Sequence, residues 1–309
     1  MNAGGTILAV IEPDNHPQIV VQRAAWLAAK SGCDLQLLLC DPDVGPLGEG
    51  FLFSNEARDL GRKIQGAQQA LIEELAGAAR ESGIQVSAKV LEERPIAPGI
   101  LNQALNLEPR YVVKGTQYHS LAERSIFVDT DWHLIRRCPF PLWLVKPQEL
   151  REKMQIVAAV DPTHSHDKPA LLDQVIVDAA KSVAEMTEGE VHLLHTYHRL
   201  TGIGAAATRT FKPIELPVDA LEQKIKAEHR EKLDALAASN GIDAGHTHQL
   251  PGATRELLPT FARSKYAGLV VMGALARWGL KRAIIGSTAE RVLDHLPCDI
   301  LIVRNDKES

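Results

Sequence analysis

The sequence repeats itself about halfway along its length. Residues 7–13 read ILAVIEP and residues 156–162 read IVAAVDP, an offset of 149. Near the end of each half, CPFPLWLVK at 138–146 matches LPCDILIVR at 296–304, an offset of 158. The segments at the start and end of the first half therefore recur in the same order in the second half. We interpret the chain as a tandem duplication of one unit of roughly 150 residues.

Length and composition agree with two domains. The 309 residues are 45% hydrophobic and 24% charged, with a net charge of -5, as is usual for a globular protein. The mild acidity gives no support for nucleic-acid binding, and no apolar run approaches the roughly 18 residues of a membrane span. We expect domains at 1–147 and 154–309, with no nucleic-acid partner and no membrane span.

The N-terminal segment and the cysteines indicate a reducing compartment. The chain runs from MNAGG directly into an apolar strand pattern, without the basic and apolar regions of a signal peptide. Its four cysteines form no C-x-x-C pair and are too few for a disulfide framework. We therefore expect a cytoplasmic protein.

Short β-rich runs alternate with helical patterns in both copies. Strands are predicted near 6–11, 34–39, 85–90, 111–114 and 142–146 in the first copy, and near 156–160, 191–197, 245–250, 269–272 and 300–303 in the second. Near-continuous apolar strands separated by helices are typical of a parallel sheet covered on both faces. Right-handed crossovers then give a doubly wound α/β fold in each copy.

Ligands of such sheets bind beyond the carboxyl ends of the strands. In the second copy, Asp161 follows the first strand and Gly273 ends the fourth. The segment GALARWGLKRAIIGSTAERV then leads to Gly286, Ser287 and Thr288, which open a predicted helix. A glycine beside a helix N-terminus offers backbone N–H groups to a phosphate. The sequence therefore predicts a phosphate-binding cleft here.

This segment resembles the G-x2-G-x9-G-[ST] nucleotide loop of the universal stress protein family. The Asp after the first strand, the ending CDILIVR and the stretch TDWHLIRRCPFPLWLVK at 130–146 are similar to its tandem, E-type members. The resemblance implies two five-stranded parallel Rossmann-like sheets with strand order 3-2-1-4-5. It also implies a role in stress survival, ATP with Mg²⁺ as a ligand, and pairing of such domains as an intrachain pseudo-dimer and as a homodimer.

In ATP-binding members the loop holds the phosphates and ribose, and the Asp meets the adenine end. Thr196, near the end of the second strand, matches the position whose backbone meets adenine. One departure is Ala276, which stands at the second glycine of the motif and does not fit if the loop needs a positive φ. The nucleotide-binding residues that the resemblance implies are Asp161, Thr196, Gly273, Gly286, Ser287 and Thr288.

The first copy departs further from the pattern. Val128 and Asp129 stand where the second copy has glycine and serine, and Glu12 stands where it has Asp161. Added bulk and negative charge oppose a polyphosphate. We therefore expect that the first copy does not bind ATP.

Zinc binding is a further hypothesis for the first copy, with His119, His133 and Cys138 as the candidate ligands. Histidine and cysteine suit Zn²⁺, but their H-x4-C spacing matches no strong zinc motif. We favour structural roles for these three residues.

Histidines also gather in the second copy, at His192 and His195 on one predicted strand and at His246 and His248 on the next. We expect scattered core and surface histidines here. A metal-binding pocket or a charge switch near pH 6 is the alternative that we keep open.

The last strand of the family fold is an edge at which domains pair. We therefore expect Trp143 on the last strand of the first copy to meet Leu301, its counterpart in the second.

The leading functional hypothesis is a stress-response binding protein with ATP in the second copy. The alternative is a non-nucleotide scaffold that binds protein partners, zinc or an apolar ligand. An ATP-dependent ligase or hydrolase is rejected, because VDPTH at 160–164 replaces the S-G-G-x-D-S loop of such enzymes. No Walker, G-x-S-x-G or H-E-x-x-H motif assigns a catalytic residue.

Overall fold

The computed structural model describes residues 5–41, 55–116, 129–149, 153–164, 170–199, 218–274 and 292–305. The chain divides into two compact units. Unit 1 comprises 1–150, 276–284 and 299–304, and unit 2 comprises 151–275, 285–298 and 305–309. Within the described ranges, no helix is long and apolar enough to cross a membrane. The domain bounds 1–147 and 154–309 stay a prediction.

Unit 1 contains six strands and four helices among its described residues. The strands are β1 (Thr6–Ile11), β2 (Asp34–Leu39), β3 (Val86–Val90), β4 (Tyr111–Gly115), β5 (Leu142–Val145) and β10 (Asp299–Val303). The helices are α1 (Pro17–Ser31), α2 (Asn55–Arg80), α3 (Ile96–Leu107) and α4 (Asp129–Arg137).

The first-copy strands of unit 1 run in the order β3-β2-β1-β4-β5, and all neighbours among them are parallel. This confirms the predicted 3-2-1-4-5 arrangement. The sheet differs from the expected five strands because β10, from the end of the chain, joins it antiparallel to β5. Leu301 lies directly opposite Trp143 in this pairing, as predicted.

Among its described residues, unit 2 has the strands β6 (Gln155–Ala159), β7 (Glu190–Tyr197), β8 (Thr247–Pro251) and β9 (Leu269–Gly273). Its described helices are α5 (Ala170–Thr187), α6 (Val218–Ser239) and α7 (Thr254–Ser264), and a 3₁₀ turn at Ala244–His246 precedes β8. The strands are parallel in the order β8-β7-β6-β9. They match positions 3-2-1-4 of the predicted order.

Apolar content and end residues account for the strands and helices that form. Every residue of β1 from Ile7 to Ile11 is at most 1% exposed, as expected of an apolar strand covered on both faces. Helix α1 starts with Pro17 in its first turn, where a missing N–H costs nothing. Gly32 caps its C-terminal end with a φ of 65°, a left-handed conformation that suits glycine.

A buried carboxylate holds β10 in the sheet of unit 1. Asp299 is fully buried and pairs with the guanidinium of Arg23 on α1. Its Oδ2 also accepts from the Trp143 indole at 2.8 Å, and its Oδ1 accepts from the Lys146 backbone N–H at 3.0 Å. Arg23 donates in turn to the carbonyl of Gln148 at 2.8 Å. The ion pair is thus surrounded by hydrogen bonds, the condition under which a buried pair is tolerated.

Removing one partner of this pair should be costly. We expect Asp299→Ala to destabilise the protein by about 3–5 kcal/mol, because the charge of Arg23 stays buried without its partner. The loss is measured as a lower urea midpoint. The double variant Arg23→Met/Asp299→Leu should recover most of it, since both charges are removed. A single variant as stable as the wild type would contradict this account.

Candidate functional site

The described part of the predicted cleft lies at the carboxyl ends of β6, β7 and β9. Asp161 follows β6, and its side chain is 20% exposed. Its Oδ1 accepts from the Thr163 hydroxyl at 2.7 Å, and its backbone N–H donates to Asp173 on α5 at 2.9 Å. The carboxylate is therefore anchored at its base and still reaches solvent, as an acceptor for a bound ligand requires.

Two histidines line the same end of unit 2. His195 on β7 is buried, with its Nδ1 3.2 Å from the carbonyl of Val160 and 3.8 Å from Oδ1 of Asp161. Its Nε2 lies 2.8 Å from Nδ1 of His229 on α6. Burial lowers the pKa of both imidazoles, so both rings are neutral near pH 7. Sequence reasoning missed His229 because nothing in its helical pattern distinguishes it.

Thr196 lies next to His195, at the predicted adenine position. Its hydroxyl is 2.5 Å from that of Thr254, the first residue of α7. The contact ties the end of β7 to the start of this helix and so fixes the strand end beside Asp161.

Close packing against α5 requires a glycine at position 273. A Cβ at this position would lie 2.7 Å from Leu172 on α5. In unit 1, Gly115 holds the equivalent place at the end of β4, and a Cβ there would lie 2.8 Å from Val20 on α1. Since both copies need the glycine for close packing of a helix, this glycine alone does not indicate phosphate binding.

The phosphate-loop residues Gly286, Ser287 and Thr288, together with Ala276, lie outside the described residues. His119 and Val128 of the first copy lie outside them as well. Their assignments stay predictions.

In the first copy, the equivalent strand ends contain a buried cluster of charges, the Lys114 cluster, formed by Glu12, Asn15, Lys114 and Asp131. The Lys114 ammonium lies 2.7 Å from the Glu12 carboxylate and 2.6 Å from Asp131 on α4. Asn15 donates to Glu12 and to the carbonyl of Gly115, both at 3.0 Å. All four side chains of the cluster are buried.

The charge on Lys114 persists in this buried setting. Burial alone lowers its pKa, but the carboxylates of Asp131 and Glu12 outweigh that effect and raise the pKa above its ordinary value. A charged, fully buried lysine with two carboxylate partners occupies the space at these strand ends. The expectation that the first copy lacks an ATP site thereby gains a physical reason that the sequence reading did not contain.

The corresponding positions of the second copy have no such charges. The offset of 158 puts Met272 in place of Lys114 and Ala289 in place of Asp131. Only the acidic residue after the first strand is retained, as Asp161. The lysine was visible in the sequence as a charge within the apolar run YVVKG, but its partners come from elsewhere in the chain.

The cysteines of the first copy are buried, and the zinc candidate His133 is half-buried. Burial raises the pKa of the Cys40 thiol to about 12, so this cysteine is unreactive near neutral pH. Cys138 is buried beyond the last residue of α4, where its N–H donates to Leu134 at 2.8 Å. His133 lies within α4. Neither His133 nor Cys138 belongs to a potential metal-binding group among the described residues.

We expect Lys114→Met to lower the stability of the protein by about 3–5 kcal/mol, because it leaves two carboxylates buried without their cation. Urea denaturation followed by tryptophan fluorescence measures the change. The matched triple variant Glu12→Gln/Lys114→Met/Asp131→Ala removes all three charges and should recover most of the loss. If the single variant unfolds at the wild-type urea concentration, the cluster does not hold these strand ends together.

Comparison with known proteins agrees with this organisation. The model of the universal stress protein family matches residues 5–146 and 154–304. Universal stress protein E of Escherichia coli K12 is 29% identical over 309 residues, which cover 97% of this chain and 94% of the relative. The homologue of that protein in Haemophilus influenzae is 26% identical and covers 98% of each chain.

A crystal structure of a protein of unknown function from Pseudomonas aeruginosa PAO1 has the same fold, with a TM-score of 0.74 and 24% identity over 97% of this chain and 92% of that one. Because the family model matches both halves separately, this chain belongs to the universal stress protein family and carries two copies of its domain.

Proposed function

We propose that this protein is a stress-response binding protein whose second copy binds an adenine nucleotide, ATP with Mg²⁺. The observation that carries the proposal is the contrast between the copies. Glu12 is buried in an ion pair with Lys114, whereas Asp161 keeps 20% of its side chain exposed and has Met272 where the lysine would stand. A carboxylate that is anchored and partly exposed can contact a ligand from solvent, and a fully enclosed one cannot.

The proposed binding residues divide between the two ends of the nucleotide. Asp161 and the backbone of Thr196 hold the adenine end. Gly286, Ser287 and Thr288 hold the phosphates through backbone N–H groups at a helix N-terminus. Gly273 completes the cleft by letting α5 approach closely. The neutral rings of His195 and His229 add no charge to the site.

Cellular location and assembly are further parts of the proposal. All four cysteines are buried and none forms a disulfide bond, which supports a function in the reducing cytoplasm. Pairing with other domains of this family, within one chain or between two, follows from the same family membership.

Native mass spectrometry of the full chain with and without Mg-ATP tests the proposal. We expect one adenine nucleotide per chain. The double variant Gly286→Val/Ser287→Asp, which copies the first-copy residues, should lose affinity at least about tenfold, or about 1.4 kcal/mol, because it adds bulk and negative charge. Asp129→Ser in the first copy is the matched control and should bind like the wild type.

Binding that survives the double variant would contradict the proposed phosphate site. No binding to the wild type would favour the alternative of a non-nucleotide scaffold. Ala276→Gly would then show whether the loop is the cause, since a gain of ATP affinity requires an otherwise competent cleft. The same spectra report whether one or two chains form the particle.

A further inference from the structure

A second cluster of polar side chains lies at the opposite, amino-terminal edge of the unit 2 sheet. Glu190 and His192 lie at the start of β7, and His246 lies in the 3₁₀ turn before β8. One ligand atom from each of these three residues lies within 4.8 Å of the others. Thr196, at the nucleotide end, is four positions further along β7 than His192, a distance of about 13 Å.

Strand geometry brings these side chains together. Alternate residues of a strand face the same side of a sheet, so Glu190 and His192 share a face. Parallel pairing places Leu193 of β7 opposite Thr247 of β8, which brings His246 level with His192. The rings of His192 and His246 are 4.8 Å apart between centroids. The expectation of scattered histidines was therefore wrong for this set.

Hydrogen bonds orient the ring of His246. Asp243 accepts from the backbone N–H of His246 at 3.0 Å, and Oδ1 of Asp243 lies 2.8 Å from Nδ1 of the ring. Nε2 of the ring lies 3.6 Å from Oε2 of Glu190. In metal sites, the second ring nitrogen of a histidine ligand commonly donates to a carboxylate, which orients the ring.

Gln155 supports the other two residues. Its Nε2 donates to Oε2 of Glu190 at 3.3 Å, and its Oε1 lies 2.8 Å from Nε2 of His192. Nδ1 of His192 lies 3.2 Å from Nε2 of His248. Ligands at tetrahedral zinc distances are about 3.4 Å apart, and Nε2 of His246 lies 3.6 Å from Oε2 of Glu190.

We propose that Glu190, His192 and His246 form a divalent-metal site, suited to Zn²⁺, at the amino-terminal edge of the unit 2 sheet. Two histidines and a glutamate are an established zinc ligand set that leaves a fourth position open. His248 is half-buried and lies beside His192. It can supply the fourth ligand or hold the His192 ring in place. The proposal concerns this edge alone and does not depend on nucleotide binding at the other.

The surrounding charges are compatible with such a site. Burial lowers the pKa of His192 and of His248 to about 4, with Lys265 and neighbouring histidines adding to the effect. The hydrogen bond from Gln155 lowers the pKa of Glu190. The ionised carboxylates of Glu190 and Asp243 offset the positive charges of Lys265 and Arg230.

Isothermal titration of the full chain with ZnCl₂, after treatment with EDTA and desalting, tests the proposal. We expect saturable binding that His246→Ala and Glu190→Gln each weaken at least tenfold. His295→Ala is the matched control, because His295 is an exposed histidine of the same unit outside this cluster. Circular dichroism confirms that each variant is folded. An absence of zinc binding to the wild type, or equal affinity in all three variants, would overturn the proposal.

A measurement on the wild type removes any dependence on the variants. Long-range ¹H–¹⁵N spectra report each imidazole ring separately. Zinc should shift the ring nitrogens of His192 and His246 and leave those of His195 and His229 unchanged. Shifts confined to other histidines would place the metal elsewhere and overturn the assignment.

Discussion

The difference between the two copies depends on one interaction, the ion pairing of buried Lys114 with Glu12 and Asp131. Parallel sheets of this kind leave a cleft at the carboxyl ends of their strands. In the first copy, the lysine and its partners occupy that region and connect β1, β4 and α4. Their charges are tolerated only because they satisfy one another. The first copy therefore retains the fold and has a buried, ion-paired cluster at the carboxyl ends of its strands.

The second copy has the complementary arrangement. Met272 stands at the position of Lys114, and Asp161 after the first strand is partly exposed and accepts from Thr163. Its two polar regions are at opposite ends of the same strand, with Thr196 and His195 at one end of β7 and Glu190 and His192 at the other. A parallel strand can serve two sites in this way, because its two ends open on different edges of the sheet.

Much of the fold was predictable from the sequence, and most of the side-chain chemistry was not. Apolar runs placed β1 and β2 at their observed bounds, because burial in a sheet imposes that pattern. The antiparallel docking of β10 depends on Asp299 meeting Arg23, 276 residues away along the chain, and no local pattern encodes such a contact. The Lys114 cluster was missed for the same reason, and the grouping of His192 with His246 was kept only as an alternative.

Hydrogen–deuterium exchange with and without Mg-ATP is the most direct test of the contrast between the copies. Bound nucleotide should slow exchange in peptides that contain Asp161 to His164 and Thr196 to His198. Peptides that contain Glu12 to Asn15 should exchange at the same rate in both conditions, because the Lys114 cluster occupies that end of the sheet. Protection of the Glu12 peptides, or no protection anywhere in the second copy, would contradict the account.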